Sequence, residues 1–153
     1  MTLKPIRKTK VELARELGRS MAELRSFLRQ YIQEKIKENE INMTFEMLEV
    51  LSFLWKKDGV NQQEIADQTL RDKSSMTYLI DNLVKRLMVT RVEDENDRRN
   101  KLIYLTGEGR ALQEQLNPWL DEVYEKATAK MNIADLKNSL TALDQMTDNL
   151  KKA

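Results

Sequence analysis

Residues Asn61–Leu112 read NQQEIADQTLRDKSSMTYLIDNLVKRLMVTRVEDENDRRNKLIYLTGEGRAL. Asn61 with Glu64 three residues on is close to a capping box, and it opens a short helix with Ile65, Ala66 and Leu70 inside. Asp72 caps a second helix, Lys73 to about Arg86, whose apolar face is Met76, Leu79, Ile80 and Leu83. Its opposite face carries Ser74, Thr77, Asp81 and Lys85, with Tyr78 beside them. Two helices joined by so short a turn form a helix-turn-helix arrangement. Met88–Val92 and Lys101–Leu105 then flank a polar loop and predict a two-stranded hairpin. Thr106 caps the helix that begins at Gly107.

Upstream, apolar residues recur at Leu13, Leu17, Met21, Leu24, Leu28 and Tyr31, a helical stripe over about Lys10–Lys37. That helix packs either on its own domain or on a partner chain. Thr44 caps a helix from Phe45 to about Lys57, and Asp58-Gly59 ends it, with Gly supplying the left-handed residue. Downstream, Leu112, Leu116, Leu120, Val123 and Ala127 continue the helix begun at Gly107. At Asn117-Pro118 it either kinks or restarts with Asn117 as cap. Asn132 caps a last helix with the stripe Ile133, Leu136, Leu140, Leu143, Met146 and Leu150.

Composition excludes several classes of function. The chain has 153 residues, 41% hydrophobic and 33% charged, enough for one domain with a core and too apolar for disorder. No apolar run approaches the ~20 residues of a membrane span. The N-terminal MTLKPIRKTK is basic with no apolar stretch behind it, so a secretory signal is not expected and the cytoplasm is the default location. Cys and His are both absent. Disulfides, thiol nucleophiles and histidine bases are thereby excluded, and zinc loses its preferred ligands. There is no Gly-rich phosphate loop and no nucleophile elbow. The chain therefore reads as non-enzymatic, without metal or cofactor. The net charge is +1, unevenly spread: residues 1–40 carry ten Lys/Arg against six Asp/Glu, and residues 71–101 eight against six. Residues 41–70 and 107–153 carry an excess of acid. Such a pattern fits a polyanion partner and equally a solvated face.

Asn61–Leu112 resembles the MarR family of bacterial transcriptional regulators. The most specific residues are Asp97-Arg98-Arg99 followed by Leu105-Thr106-x-x-Gly109-Arg110, with QQEIA at 62–66 and Lys73–Thr77 in support. The terminal helices match in kind, as the family's dimerisation elements. The resemblance implies a mostly α fold with a small β-hairpin wing, in one domain over 1–153. Residues 44–106 form the winged helix-turn-helix, and residues 1–40 and 107–153 the helical dimerisation region. It implies a non-enzymatic regulator, a ligand-responsive repressor that binds a pseudo-palindromic operator in double-stranded DNA as a homodimer.

A helix in the major groove reads base edges with short polar side chains, and Ser74, Ser75, Thr77 and Tyr78 are of that type. Arg71, Lys73 and Lys85 are placed to neutralise phosphates. In the wing, the resemblance implies that Asp97 pairs with one arginine of Arg98-Arg99 while an arginine enters the minor groove; Arg99 is the favoured reader and Arg98 the brace. Lys101 is a phosphate candidate at the strand base. Tyr31, Phe45, Phe53 and Trp55 lie where a pocket for a small aromatic effector would form, or are simply core. Two positions depart from the family pattern. Leu87 stands where Gly usually follows the recognition helix, so that helix is expected to end differently, and Tyr78 stands where many members have Arg. These departures, with the acids Asp81, Glu93, Asp94 and Glu95, keep a second reading open: a dimeric helical adaptor whose winged helix has lost DNA binding.

Overall fold

The computed structural model describes residues 7–153; the start of the basic N-terminal stretch, residues 1–6, lies outside the described residues. Six helices and three strands follow in order: α1 Lys10–Glu38, α2 Phe45–Lys56, β1 Val60–Asn61, α3 Gln62–Gln68, α4 Lys73–Lys85, β2 Val89–Asp94, β3 Asp97–Leu105, α5 Gly107–Ala127 and α6 Ile133–Lys151. They form two compact units, Met1–Leu120 and Asp121–Ala153. Among the described residues no helix is long and apolar enough to cross a membrane.

Each expected cap is present. Thr44 Oγ1 accepts from Met47 N–H, Asn61 Oδ1 from Glu64, Asp72 Oδ1 from Ser75, Thr106 Oγ1 from Gly109 and Asn132 Oδ1 from Asp135. Thr9 and Glu12 add a full capping box ahead of α1. In the first unit, the apolar faces of α2, α3 and α4 meet the inner face of the sheet. Met47, Leu51, Leu54, Ile65, Met76, Ile80, Leu83, Val89 and Ile103 are fully buried there. Burial of that area is the main stabilising term and fixes α4 to the sheet. α1 buries only Ile32 and Ile36, and its apolar residues from Val11 to Phe27 stay exposed. In the second unit α6 buries none of its stripe, and Ile133, Leu140 and Leu150 are exposed.

The structure corrects the sequence reading at several points. The hairpin gains a third strand: β1 pairs with β3, Val60 opposite Ile103, giving the order β1-β3-β2. Gly59 makes this turn, with φ +66 and its N–H donating to Ile103 O at 3.0 Å. A Cβ at Gly59 would stand 2.6 Å from the Tyr104 ring, so a larger residue is strained by φ and would also displace that ring. Leu70 is not inside α3; it is 92% exposed in the left-handed region, one residue past the C-cap Thr69. α4 does not end in a different way. Leu87 takes the left-handed cap with φ +59, and Met88 N–H donates to Leu83 O while Leu87 N–H donates to Val84 O. This is the Schellman pattern, closed with Leu where Gly is easiest. α5 runs on through Pro118, so Asn117 caps no second segment.

Candidate nucleic-acid interface

α4 is held by its buried face, and this leaves Lys73, Ser74, Ser75, Thr77, Tyr78 and Lys85 exposed. They do not remain equally available. Ser75 Oγ donates to Asp72 Oδ2 at 3.1 Å, so Ser75 is part of the helix start. Two hydrogen bonds from Ser75 to Asp72, backbone first, hold the Asp72 carboxyl below its ordinary range. Thr77 Oγ1 donates to Lys73 O and accepts from Gln62 Nε2 at 2.7 Å, which ties α3 to α4. Among the described residues, no hydrogen bond engages the hydroxyl of Ser74 or of Tyr78, while the Tyr78 carbonyl accepts from Asn82.

The wing differs from a loose polar loop. β2 and β3 run to a two-residue turn, Glu95-Asn96, with Asp94 opposite Asp97. The register breaks between Glu93 and Asp94, because Glu93 faces Lys101. Residues 98–100 therefore have no partner on β2, and this bulge projects Arg98 and Arg99 out of the ladder. Asp97 Oδ1 accepts from the backbone N–H of Arg99 at 3.0 Å. Asp97 thus fixes the arginine loop through the main chain, where side-chain pairing was expected. Asp94 accepts from Asn96 N–H and from Asn100 Nδ2. Two of the wing acids are accordingly turned into the loop.

The bulge brings the wing beside the helix-turn-helix. Lys73, Arg99 and Lys101 line one groove of about 300 Å³ together with Gln62, Gln63 and Asn100, and no carboxylate lines it. Among the described residues, Lys73, Lys85, Arg98, Arg99 and Lys101 have no carboxylate partner, whereas Arg91 is paired with Asp81 and Arg110 with Asp58.

Arg71 differs from these cations. Its Nη2 donates to Glu49 Oε1 at 2.9 Å, both side chains being about one-fifth exposed, so it is part of the packing under the turn. The aromatic quartet is also accounted for by packing. Tyr31, Phe45, Phe53 and Trp55 each lie half-buried against the core. Arg25 and Arg29 stand over the Phe45 ring at 5.8 and 5.5 Å, and Trp55 Nε1 donates to Gly109 O at 2.8 Å. Phe45 and Trp55 sit at opposite ends of α2, about 15 Å apart along its axis.

Residues 43–101 match the sequence model of the MarR family. The HTH-type transcriptional regulator FarR of Neisseria gonorrhoeae is 28% identical over 115 residues, covering 73% of this chain and 79% of that one. The fold is similar to that of a MarR transcriptional regulator from Methanosarcina mazei Go1, with TM-score 0.79, 25% identity, and 90% and 98% of the two chains covered. Over residues 43–101 the chain is thus similar to the MarR family. The fold is shared also with MepR of S. aureus, solved as a complex with DNA, at TM-score 0.71 and 23% identity over 94% of this chain and 99% of that one.

The MarR-family pattern acquires physical reasons here. Gly109 of the Leu105-Thr106-x-x-Gly109-Arg110 motif packs against the Met88 backbone, where an added Cβ would collide with the carbonyl oxygen. Arg110 reaches back to Asp58 Oδ2 at 2.5 Å, and Asp58 Oδ1 accepts from Leu105 N–H. Sequence reasoning did not single out Gln62, Gln63 and Asn100. An amide near a helix start gives no periodic signal, and only the groove brings these three together.

Proposed function

We propose that this chain is a MarR-family regulator, that it binds a pseudo-palindromic operator in double-stranded DNA as a homodimer, and that it represses by occupying that site. One observation carries the DNA reading: Lys73 of α4 and Arg99 and Lys101 of the wing gather on one groove that no carboxylate lines, while Arg71 and Arg110 are paired with acids. Cations gathered in this way neutralise phosphates and release counterions. Ser74 and Tyr78 are the base-edge candidates, Lys73, Lys85 and Lys101 the phosphate candidates, and Arg99 the minor-groove reader, with Arg98 as its neighbour on the backbone. The MepR complex with DNA supports the same use of this fold.

Dimerisation is supported by the exposed apolar stripes of α1 and α6, each of which needs a cover. Release by a small effector requires a ligand that prefers the spacing of recognition helices that does not fit DNA. The adaptor reading loses part of its sequence grounds, those at Leu87, Asp81 and Asp94. Leu87 forms the family's cap in spite of its side chain, and Asp81, Asp94 and Asp97 are engaged within the protein.

The test is selection of bound duplexes from random sequence, followed by anisotropy titration of the selected site at several salt concentrations. The expected result is an inverted-repeat site, half-sites about 10 bp apart, with affinity falling steeply in salt. Recovery of no enriched duplex overturns the reading.

A further inference from the structure

We infer that the ion pair between Asp81 and Arg91 positions the wing against the recognition helix, which makes both of them positioning residues for DNA contact; this rests on the DNA-binding reading above. Arg91 lies on β2 opposite Ile103, on the same side of the strand as the fully buried Val89. From there its guanidinium reaches across to the carboxylate of Asp81 on the exposed face of α4. Between Val92 and Leu102 no side chain is buried, so the outer wing has no apolar anchor. Among the described residues, no other side-chain hydrogen bond joins β2 or β3 to α4. The pair is therefore the last side-chain tie between wing and recognition helix before the bulge that carries Arg98 and Arg99. An arginine that must enter a groove some way beyond that point depends on it for direction, because misplacement by about 1 Å is enough to lose a directional contact.

Charge alone makes the opposite prediction. Asp81 shares its helix face with Ser74, Thr77 and Lys85, and a carboxylate facing phosphates weakens binding. Removing it should then tighten the complex. Positioning requires that removing it loosens the complex, so the sign of one substitution separates the two.

The experiment titrates the selected duplex with the full-length wild type, Asp81→Asn, Arg91→Ala, Arg91→Lys, the Asp81→Asn/Arg91→Ala double variant and Arg99→Ala. Thermal midpoint and solution mass are recorded for each, and affinities are compared only among variants that keep both. The expected result is that Asp81→Asn and Arg91→Ala each weaken binding about fivefold or more. The double variant should be no weaker than either single one, as for two groups acting as one unit. The salt dependence should fall toward that of Arg99→Ala, and Arg91→Lys should bind nearly as wild type. Unchanged or tighter binding by Asp81→Asn, or losses that add, overturns the inference. A wild type that selects no duplex overturns the DNA reading itself, whereas binding that Arg99→Ala loses and Asp81→Asn keeps overturns the ion-pair role alone.

Discussion

Glu49 on α2 accepts from Arg71 Nη2 at 2.9 Å, and the same carboxylate accepts from Arg25 Nη2 at 2.8 and 2.9 Å. One acid thus joins α1, α2 and the turn ahead of α4. Arg71 stands in the turn of a DNA-binding motif, yet its charge faces inward. Arg71→Ala should lower stability by about 2 kcal/mol in urea denaturation, because Glu49 loses a charged, partly buried partner. The salt dependence of DNA binding should not change. A decreased salt slope with unchanged stability would return Arg71 to the phosphate contacts.

Leu87 and Leu70 both occupy the left-handed region just past a helix, and both are exposed. A side chain there is strained by about 1–2 kcal/mol, and Gly relieves it at a smaller cost in unfolded-chain entropy. Leu87→Gly should raise stability by about 0.5–1 kcal/mol. Denaturant midpoints of the two proteins, at equal m-value, decide it.

Gly109 packs against Met88 O, a backbone atom that cannot turn aside. Gly109→Ala should destabilise by about 2–3 kcal/mol although Ala is the better helix former. The same substitution at Gly107, where a Cβ meets open space, should be close to neutral or stabilising. Thermal unfolding of the two variants side by side tests the contrast.

Arg99 should contribute about 1–3 kcal/mol to DNA affinity if it enters the minor groove. Arg99→Ala should weaken binding most at duplexes with narrow A·T-rich flanks, while Arg98→Ala should weaken all duplexes alike. Anisotropy titrations on flank variants separate the two. An unchanged affinity for Arg99→Ala removes it from the interface.

Asp72 has a carboxyl held below its ordinary range by the hydrogen bonds from Ser75. Its folded pKa is depressed, so its stabilisation is present above the unfolded carboxylate pKa and is lost as pH falls through the folded value. Asp72→Asn keeps the cap but carries no titratable group. The stability difference between wild type and Asp72→Asn should therefore be constant at neutral pH and shrink below about pH 4. A difference that stays level from pH 7 down to pH 3 would refute the assignment.

The helices were legible in the sequence because their signals are local. A cap is decided by one side chain and the N–H three residues on, and a buried face by spacing along one helix. Asn61, Asp72, Thr106 and Asn132 therefore announced their helices, and Met76, Leu79, Ile80 and Leu83 the face of α4 that is buried. The wing motif Asp97-Arg98-Arg99 was legible through the family resemblance. What only the tertiary structure decided was which polar groups remain free. Ser75 and Thr77 are on the exposed side of α4 and yet engaged; Arg71 is in the turn and yet paired with a residue 22 positions earlier. β1 is two residues long and exists only because β3 lies beside it. Charge and hydrogen bonding across elements depend on distance in space, and sequence spacing carries that distance only within a single helix or strand.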